Sequence, residues 1–268
     1  MDDRQIWRIA LEQSAIDSSC QPEDFLAGEP RVVRSKPDPK ARAYLDLPFG
    51  CDLTSYGSNV VASVGPAAEA AARRYVEAYP AEHCFETPHL HVLEGELRQL
   101  GLSICHMAEY FLPDLQRMER LTCPYETRLL EPGQLAELYQ PQWGNALCEK
   151  RKHLDRLAVG AFHRGELVGL AGCSADCDAM WQIGVDVLPA YRGQGIAGAV
   201  TSQLAHAVFQ RGKVPFYCAA WSNIKSVRNA LRCGFKPAWV QLTAKPVDQV
   251  EKANQRDGAE KEREHGTV

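Results

Sequence analysis

The sequence has no apolar run long enough to cross a membrane. No uncharged apolar segment of the 268-residue chain approaches the roughly 18 residues that a spanning helix needs. Residues 1–5 are polar and include two acids, and no apolar signal core follows them. The chain also lacks a large net charge, since the formal value is −4, so bulk electrostatics do not favour nucleic acid or an anionic membrane as a partner. These absences predict a cytoplasmic protein.

The chain has no recognisable disulfide framework. Its 10 cysteines are scattered, and a chain of this length does not need disulfide bonds for stability. Cys173 and Cys177 form one close pair, but no second pair at ligand spacing accompanies them. We therefore predict reduced thiols that are mostly buried and chemically inert.

Other potential metal ligands are concentrated in residues 83–91. They are His83, Cys84, Glu86, His89 and His91. His89 and His91 would share one face of an extended segment, but the spacing of the group fits no recognised zinc site. Pro88 indicates a loop. A surface loop, a substrate-side histidine and a zinc site are the alternatives, and we predict no metal.

Turn residues and hydrophobic periodicity divide the chain near residue 122. Residues 1–122 predict a smaller α+β domain with the element order α-β-β-α-α-β. Its predicted helices are 5–19, 67–79 and 92–100, and its predicted strands are 31–34, 59–64 and 102–111. This domain is a candidate for a degenerate copy of the domain that follows.

Residues 123–245 have a clearer hydrophobic periodicity than residues 1–122 and predict a second domain. Its predicted strands are 126–130, 157–162, 167–171, 180–188, 214–220 and 238–244. Its predicted helices are 132–138, 143–152, 195–210 and 223–233. Residues 246–268 are rich in charged and amide side chains, cannot bury a core, and are predicted to be disordered.

A glycine loop between a predicted strand and a predicted helix is the segment that best indicates the chemistry of the protein. Residues 185–198 read Val-Asp-Val-Leu-Pro-Ala-Tyr-Arg-Gly-Gln-Gly-Ile-Ala-Gly. The first N–H groups of a helix have no partner and the helix dipole adds positive charge there, so such a loop can hold a diphosphate. The loop is not a P-loop, because Gly-Lys-Ser/Thr is absent. A dinucleotide fingerprint needs an acidic residue about 20 positions later, and residues 208–218 contain none.

Two motifs in the second domain resemble those of the GNAT acetyltransferase superfamily. Arg192, Gly195 and Ala197 match the family's acetyl-CoA motif, Arg/Gln-x-x-Gly-x-Gly/Ala. Residues 223–235 resemble its second CoA-side helix and end in Gly-Phe. The resemblance covers residues 124–245 and not residues 1–122. It implies an α/β (α+β) fold with flanking helices and a mixed, mostly antiparallel sheet, whose central strands, about 180–188 and 214–220, splay to admit CoA.

The resemblance also implies roles for individual residues. Val185 and Val187 would pair with the pantetheine arm, and a backbone N–H there would polarise the thioester carbonyl. Asn223 and Ser226 would line the opposite wall. The CoA diphosphate would be held by the backbone N–H groups of Arg192, Gly193, Gln194, Gly195, Ile196 and Ala197.

Transfer of an acetyl group to an amine requires the neutral amine. At pH 7, deprotonation costs ~4.6 kcal/mol for a lysine-like amine of pKa ~10.4 and ~1.4 kcal/mol for an α-amine near pKa ~8. A general base therefore matters more for side-chain amines. The candidates are Asp176 and Asp178, before strand 180–188, and Asp186 within it. The alternatives are a solvated turn for the first two and a cap or loop hydrogen bond for Asp186.

The acid position departs from the family pattern. In the family, a tyrosine on the second CoA-side helix usually protonates the departing thiolate, and the matching residue here is Ala230. Tyr191 and Tyr217 are near in sequence, but neither matches the motif.

Together these features predict an N-acetyltransferase that uses acetyl-CoA as acyl donor and transfers the acetyl group to a primary amine by direct attack. A non-catalytic acyl-CoA-binding module with a sensor or regulatory role is the alternative, because Ala230 replaces the usual acid. The predicted partner is a small-molecule or peptide amine, with no nucleic acid, membrane or metal, and the predicted state is a monomer or homodimer.

Overall fold

The computed structural model describes residues 1–255 of the chain. Its helices are α1 (Asp3–Ser18), α2 (Glu69–Ala78), α3 (Thr87–Gln99), α4 (Ile196–Gln210) and α5 (Ile224–Arg232). Its strands are β1 (Arg31–Arg34), β2 (Cys51–Ser55), β3 (Val61–Val64), β4 (Leu102–Pro113), β5 (Glu126–Leu130), β6 (Asp155–His163), β7 (Glu166–Ser174), β8 (Met180–Val187), β9 (Val214–Ala219) and β10 (Phe235–Pro246). These elements form two compact units, each with a hydrophobic core of its own.

The first unit consists of residues 1–13, 40–45 and 109–238. Its strands lie in the order β4-β9-β8-β7-β6-β5, and the neighbours are antiparallel except for β8 and β9. Ile196, Val200 and Leu204 form a stripe along α4 and are buried in one core cluster with residues of these strands. Their spacing of about four residues places them on one helix face, so the predicted amphipathic helix packs as its sequence requires.

The two parallel strands of this unit separate along their length. Met180–Ile183 of β8 pair with Val214–Tyr217 of β9, and the pairing then stops. β8 continues to Val187 alongside β7, whereas the end of β9 pairs with β4. Beyond Ile183, no described strand pairs with the edge of β8 that faces β9. We call this opening between the two strands the wedge.

The second unit consists of residues 14–39, 46–108 and, among the described residues, 239–255. Its strand order is β1-β3-β2-β10-β4, and its core includes residues of α2 and α3. The core is not wholly apolar, because Asp52 on β2 is fully buried and accepts hydrogen bonds from Thr54, Gln241 and Thr243. Burial raises the pKa of the Asp52 carboxyl to about 6.

The predicted fold class is confirmed: the sheet is mixed and mostly antiparallel, helices flank it, and its central strands splay. The predicted helices 132–138 and 143–152 are instead a series of 3₁₀ turns, which are Pro132–Gln134, Ala136–Leu138, Pro141–Trp143 and Glu149–Leu154. Pro132 and Pro141 can only begin a helix, and Gly133 and Gly144 weaken one, so an α-helix does not propagate through this segment. The strand β2 had not been predicted.

The compact units divide the chain differently from the predicted boundary at residue 122. β4 begins in the second unit and ends in the first, and β10 begins in the first and ends in the second. The return of residues 240–244 to pair with β2 is a long-range contact that local composition does not encode. Of the segment predicted to be disordered, residues 247–255 are helical, and residues 256–268 lie outside the described range. Within residues 1–255, no helix combines the length and hydropathy of a membrane span.

Candidate active site

The glycine loop connects the open end of β8 to α4. A 3₁₀ turn, Pro189–Tyr191, follows β8, and Gly195 is the N-cap of α4. Gly193 and Gly195 have φ values of +80° and +81°, a region that residues with a Cβ adopt only at a cost. The glycines at these two positions are therefore required by the shape of the loop.

The loop presents a row of free backbone donors. Among the described residues, the backbone N–H groups of residues 193–198 donate no hydrogen bond, and the first N–H to be bonded is that of Ala199, which donates to the Gly195 carbonyl at 3.1 Å. These donors lie at the positive end of the α4 dipole. Such an arrangement can bind an anion such as a phosphate group.

Side chains on both sides hold the loop in this shape. The Arg192 Nε donates to the Val187 carbonyl at 3.0 Å, so this side chain folds back onto the end of β8. Gln194 accepts a hydrogen bond from the Tyr125 hydroxyl at 2.6 Å. Ile196 is 1% exposed, and its Cγ2 lies 2.5 Å from the point that a Cβ on Gly169 would occupy. The predicted loop residues thus form one braced structure at the start of α4.

The predicted pantetheine residues lie on the two walls of the wedge. Val185 and Val187 pair with Ala171 and Gly169 of β7, which leaves their other backbone edge toward the opening. On the opposite wall, Asn223 caps α5 by accepting from the Ser226 N–H at 3.2 Å.

Ala230 lies inside the core of the first unit and is fully buried. Because it is an alanine, it offers no hydroxyl group that could protonate a departing thiolate. The phenol that contacts α5 comes from β9 instead: the Tyr217 hydroxyl lies 2.9 Å from the Ser226 Oγ, and burial raises the pKa of Tyr217. The strand alternation around Tyr217 could have indicated which face it occupies, but not its partner on α5.

Asp186 is engaged by three N–H donors. Its Oδ2 accepts from the backbone N–H groups of Asn145 and Ala146, both at 2.9 Å, and its Oδ1 accepts from the Asn145 side chain at 2.7 Å. The same segment crosses the sheet very closely, since a Cβ on Gly184 would lie 1.8 Å from the Asn145 carbonyl oxygen and one on Gly172 would lie 2.1 Å from that of Ala146. Asp186 therefore clamps residues 145–146 onto β7 and β8.

The other two predicted base candidates lie in different surroundings. The Asp178 side chain is 99% exposed and pairs with Lys213 at 3.0 Å. The Asp176 side chain is 1% exposed, lies 3.3 Å from Arg151 and accepts a hydrogen bond from Ser174. The three carboxylates therefore differ in burial and in their partners.

Asp176 is the candidate whose charge acts on the wedge. Burial raises the pKa of the Cys218 thiol to about 11, Arg42 lowers it and the charge of Asp176 raises it further. Cys218 lies where β8 and β9 diverge, and its Sγ accepts from the Gln182 side chain at 3.1 Å.

The histidine-rich segment lies in the second unit at the start of α3. His83 pairs with Glu86 at 2.9 Å, and the His89 Nδ1 lies 3.0 Å from the His83 carbonyl oxygen. Each contact is local to the turn. In residues 1–255, no group of three or more histidine, cysteine, aspartate or glutamate side chains is placed to hold a metal ion.

Comparison with known proteins decides the family. Residues 115–235 match the model of the acetyltransferase (GNAT) family. This domain belongs to the GNAT family. The match begins within the loop after β4 and ends at Phe235, so the GNAT domain includes the glycine loop, the wedge and α5. No curated protein sequence matches the chain.

Solved structures with a similar arrangement include further GNAT proteins. A GCN5-related N-acetyltransferase from Sphaerobacter thermophilus is 17% identical, with a TM-score of 0.45 over 70% of this chain and 72% of that one. A GNAT-family acetyltransferase from Colwellia psychrerythraea is 20% identical, with a TM-score of 0.40 over 54% of this chain and 57% of that one. A tandem GNAT protein from the clavulanic acid biosynthesis pathway is 16% identical, with a TM-score of 0.43 over 56% of this chain and 57% of that one. The chain thus spans less than two thirds of the latter two proteins.

Proposed function

We propose that the protein is an N-acetyltransferase that moves the acetyl group of acetyl-CoA to a primary amine of a small molecule or peptide. The observation that carries the proposal is the row of free N–H groups at residues 193–198, beside the open edge of β8, within a GNAT domain. The row supplies donors for the diphosphate, and the open strand edge supplies backbone groups for the amide-bearing pantetheine arm. The wedge then directs the thioester toward the interior of the sheet.

In the proposed reaction, the neutral amine attacks the thioester carbonyl carbon. A C–N bond forms, the C–S bond breaks, the CoA thiolate leaves, and the nitrogen loses its proton. A backbone N–H at Val185 or Val187 would stabilise the oxyanion. Since Ala230 carries no acid, the thiolate departs unprotonated or takes its proton from water.

Among the three aspartates, we propose Asp176 as the residue closest to the reacting amine. Its support is its burial and the effect of its charge on Cys218, which lies where β8 and β9 diverge. The contacts of Asp186 support a clamp, and the exposure of Asp178 supports a solvated turn. If Asp176 accepts the proton, Asp176→Asn will remove the acidic limb of the pH–rate profile.

A non-catalytic acyl-CoA-binding module is the second candidate, and the buried Ala230 is the observation that favours it. A transfer assay separates the two. Acetyl-CoA is incubated with a panel of α-amines, side-chain amines and short peptides, and free CoA is quantified by chromatography, because a thiol reagent would also report exposed Cys105. Amine-dependent CoA release supports the enzyme. Tight acetyl-CoA binding without release for any amine supports the binding module.

A further inference from the structure

Arg232 brings an isolated positive charge to the glycine loop from a second helix. It is the last residue of α5, and its side chain extends toward the start of α4. Its Nη2 lies 3.8 Å from the point that a Cβ on Gly195 would occupy, and its Cδ and Nε lie 3.7 and 3.8 Å from the corresponding point on Gly198. Arg232 therefore lies beside Gly195 and Gly198, two of the residues whose backbone N–H groups are free.

The Arg232 guanidinium has no anion to balance it. Among residues 1–255, no carboxylate lies within ion-pair distance of Arg232, and the residue is exposed. The other nearby arginine, Arg192, is held by the Val187 carbonyl on the β8 side of the loop. Of the two, Arg232 is thus the guanidinium whose donors are not engaged by the protein.

This location is electrostatically unfavourable unless an anion binds. The start of α4 carries partial positive charge, so a guanidinium beside it is repelled by the same N–H groups. An arginine in the last turn of α5 could remain in solvent near its own carboxyl-terminal carbonyls. An anion between Arg232 and the loop would convert the repulsion into two attractive interactions, since guanidinium and N–H groups both donate to phosphate oxygens.

We propose that Arg232 is a ligand of the donor's diphosphate and closes the anion site opposite the α4 amino terminus. The proposal rests on the proposed acetyl-CoA donor and adds a residue outside the glycine motif. An arginine can donate two parallel hydrogen bonds to phosphate oxygens. The diphosphate is assigned, rather than the 3′-phosphate of CoA, because Arg232 lies against the loop glycines themselves.

The test is calorimetric binding of acetyl-CoA and of acetyl-dephospho-CoA, which retains the diphosphate but lacks the 3′-phosphate. Arg232→Gln removes the charge while keeping a good helix former. Loss of a charge-assisted contact to phosphate should raise the Kd roughly tenfold or more, and by the same factor for both ligands. Arg232→Lys should recover part of the affinity, because it restores the charge but not the paired donors.

Arg228→Gln is the matched control, because Arg228 lies one turn earlier on α5, is exposed, and changes the net charge equally. The proposal is overturned if Arg232→Gln binds acetyl-CoA as tightly as wild type, or if Arg228→Gln loses as much affinity. A loss confined to acetyl-CoA would also overturn it, because it would assign Arg232 to the 3′-phosphate. If the wild type does not bind acetyl-CoA, the proposed function fails together with this inference, whereas tight wild-type binding with an unaffected Arg232→Gln contradicts the inference alone.

Discussion

Replacement of Asp186 distinguishes a clamp from a general base. Asp186→Ala removes the acceptor of three hydrogen bonds, two of them from the backbone N–H groups of Asn145 and Ala146. Each bond contributes about 1 kcal/mol net, so Asp186→Ala should lower the free energy of unfolding by about 3 kcal/mol. Asp186→Asn keeps one acceptor oxygen for the two backbone donors and loses mainly the charge assistance, at a cost of about 1 kcal/mol.

Urea unfolding of the wild type and both variants measures these costs, and Asp178→Asn is the control. Because Asp178 is 99% exposed, its replacement should change stability by no more than about 0.5 kcal/mol. The clamp account also predicts that Asp186→Asn keeps the acidic limb of the pH–rate profile. Wild-type stability of Asp186→Asn, combined with loss of turnover and of that limb, would refute the reasoning and identify Asp186 as the base.

Two further predictions concern close packing and buried charge. Gly184→Ala should lower the free energy of unfolding by about 2 kcal/mol or more, because the new Cβ would meet the Asn145 carbonyl at 1.8 Å. Gly133→Ala is the control and should be nearly neutral, because its Cβ would meet nothing within 4 Å. Equal melting temperatures for the two variants would contradict the close approach of Asn145 to Gly184. Asp52→Asn should gain stability relative to wild type as pH rises, because a carboxyl whose folded pKa is raised from 3.8 to about 6 stabilises the fold below pH 3.8 and loses that contribution as pH rises through 6. The relative gain between pH 4 and pH 7 should be about 2 kcal/mol, and a difference in unfolding free energy that does not change with pH would rule out a buried, titrating Asp52.

The glycine loop could be predicted from sequence because its causes are local. Gly193 and Gly195 adopt the positive φ values that only their residue type favours, and the apolar period beyond them specifies α4. The predicted start of this helix, residue 195, is its N-cap, and the predicted helix 223–233 brackets α5 closely. Local propensity, turn chemistry and hydrophobic period agree in this region, so the elements follow from the sequence.

The contacts that define the rest of the candidate site are long-range. Asp186 accepts a hydrogen bond from Asn145, which lies 41 positions away in the sequence. Arg232, at the end of α5, lies close to Gly195, at the start of α4. The acid–base prediction therefore listed three aspartates without separating them. The segment after β5 was predicted as helix because its apolar residues recur at a helical period, whereas its prolines and glycines break it into 3₁₀ turns.

The division into compact units was also beyond the sequence. A strand such as β10 has one local pattern along its whole length, and only its partners reveal that its two ends belong to different units. Cys51–Ser55 was missed as a strand for a different reason: it is only five residues long, and three of its five residues, Asp52, Thr54 and Ser55, are polar although all five are buried. Its composition therefore does not indicate a strand in the core.

The central claim is that the glycine loop binds the acyl donor, and calorimetric titration of acetyl-CoA into wild type and Gly195→Glu tests it most directly. The substitution places a carboxylate among the free N–H groups. Gly212→Glu is the matched control, because Gly212 also has positive φ (+71°), has open space around it, and lies beyond the other end of α4. The account predicts a Kd on the order of micromolar for wild type and Gly212→Glu, and no measurable binding to folded Gly195→Glu. Absent binding by wild type, or equal binding by the folded Gly195→Glu variant, would contradict it.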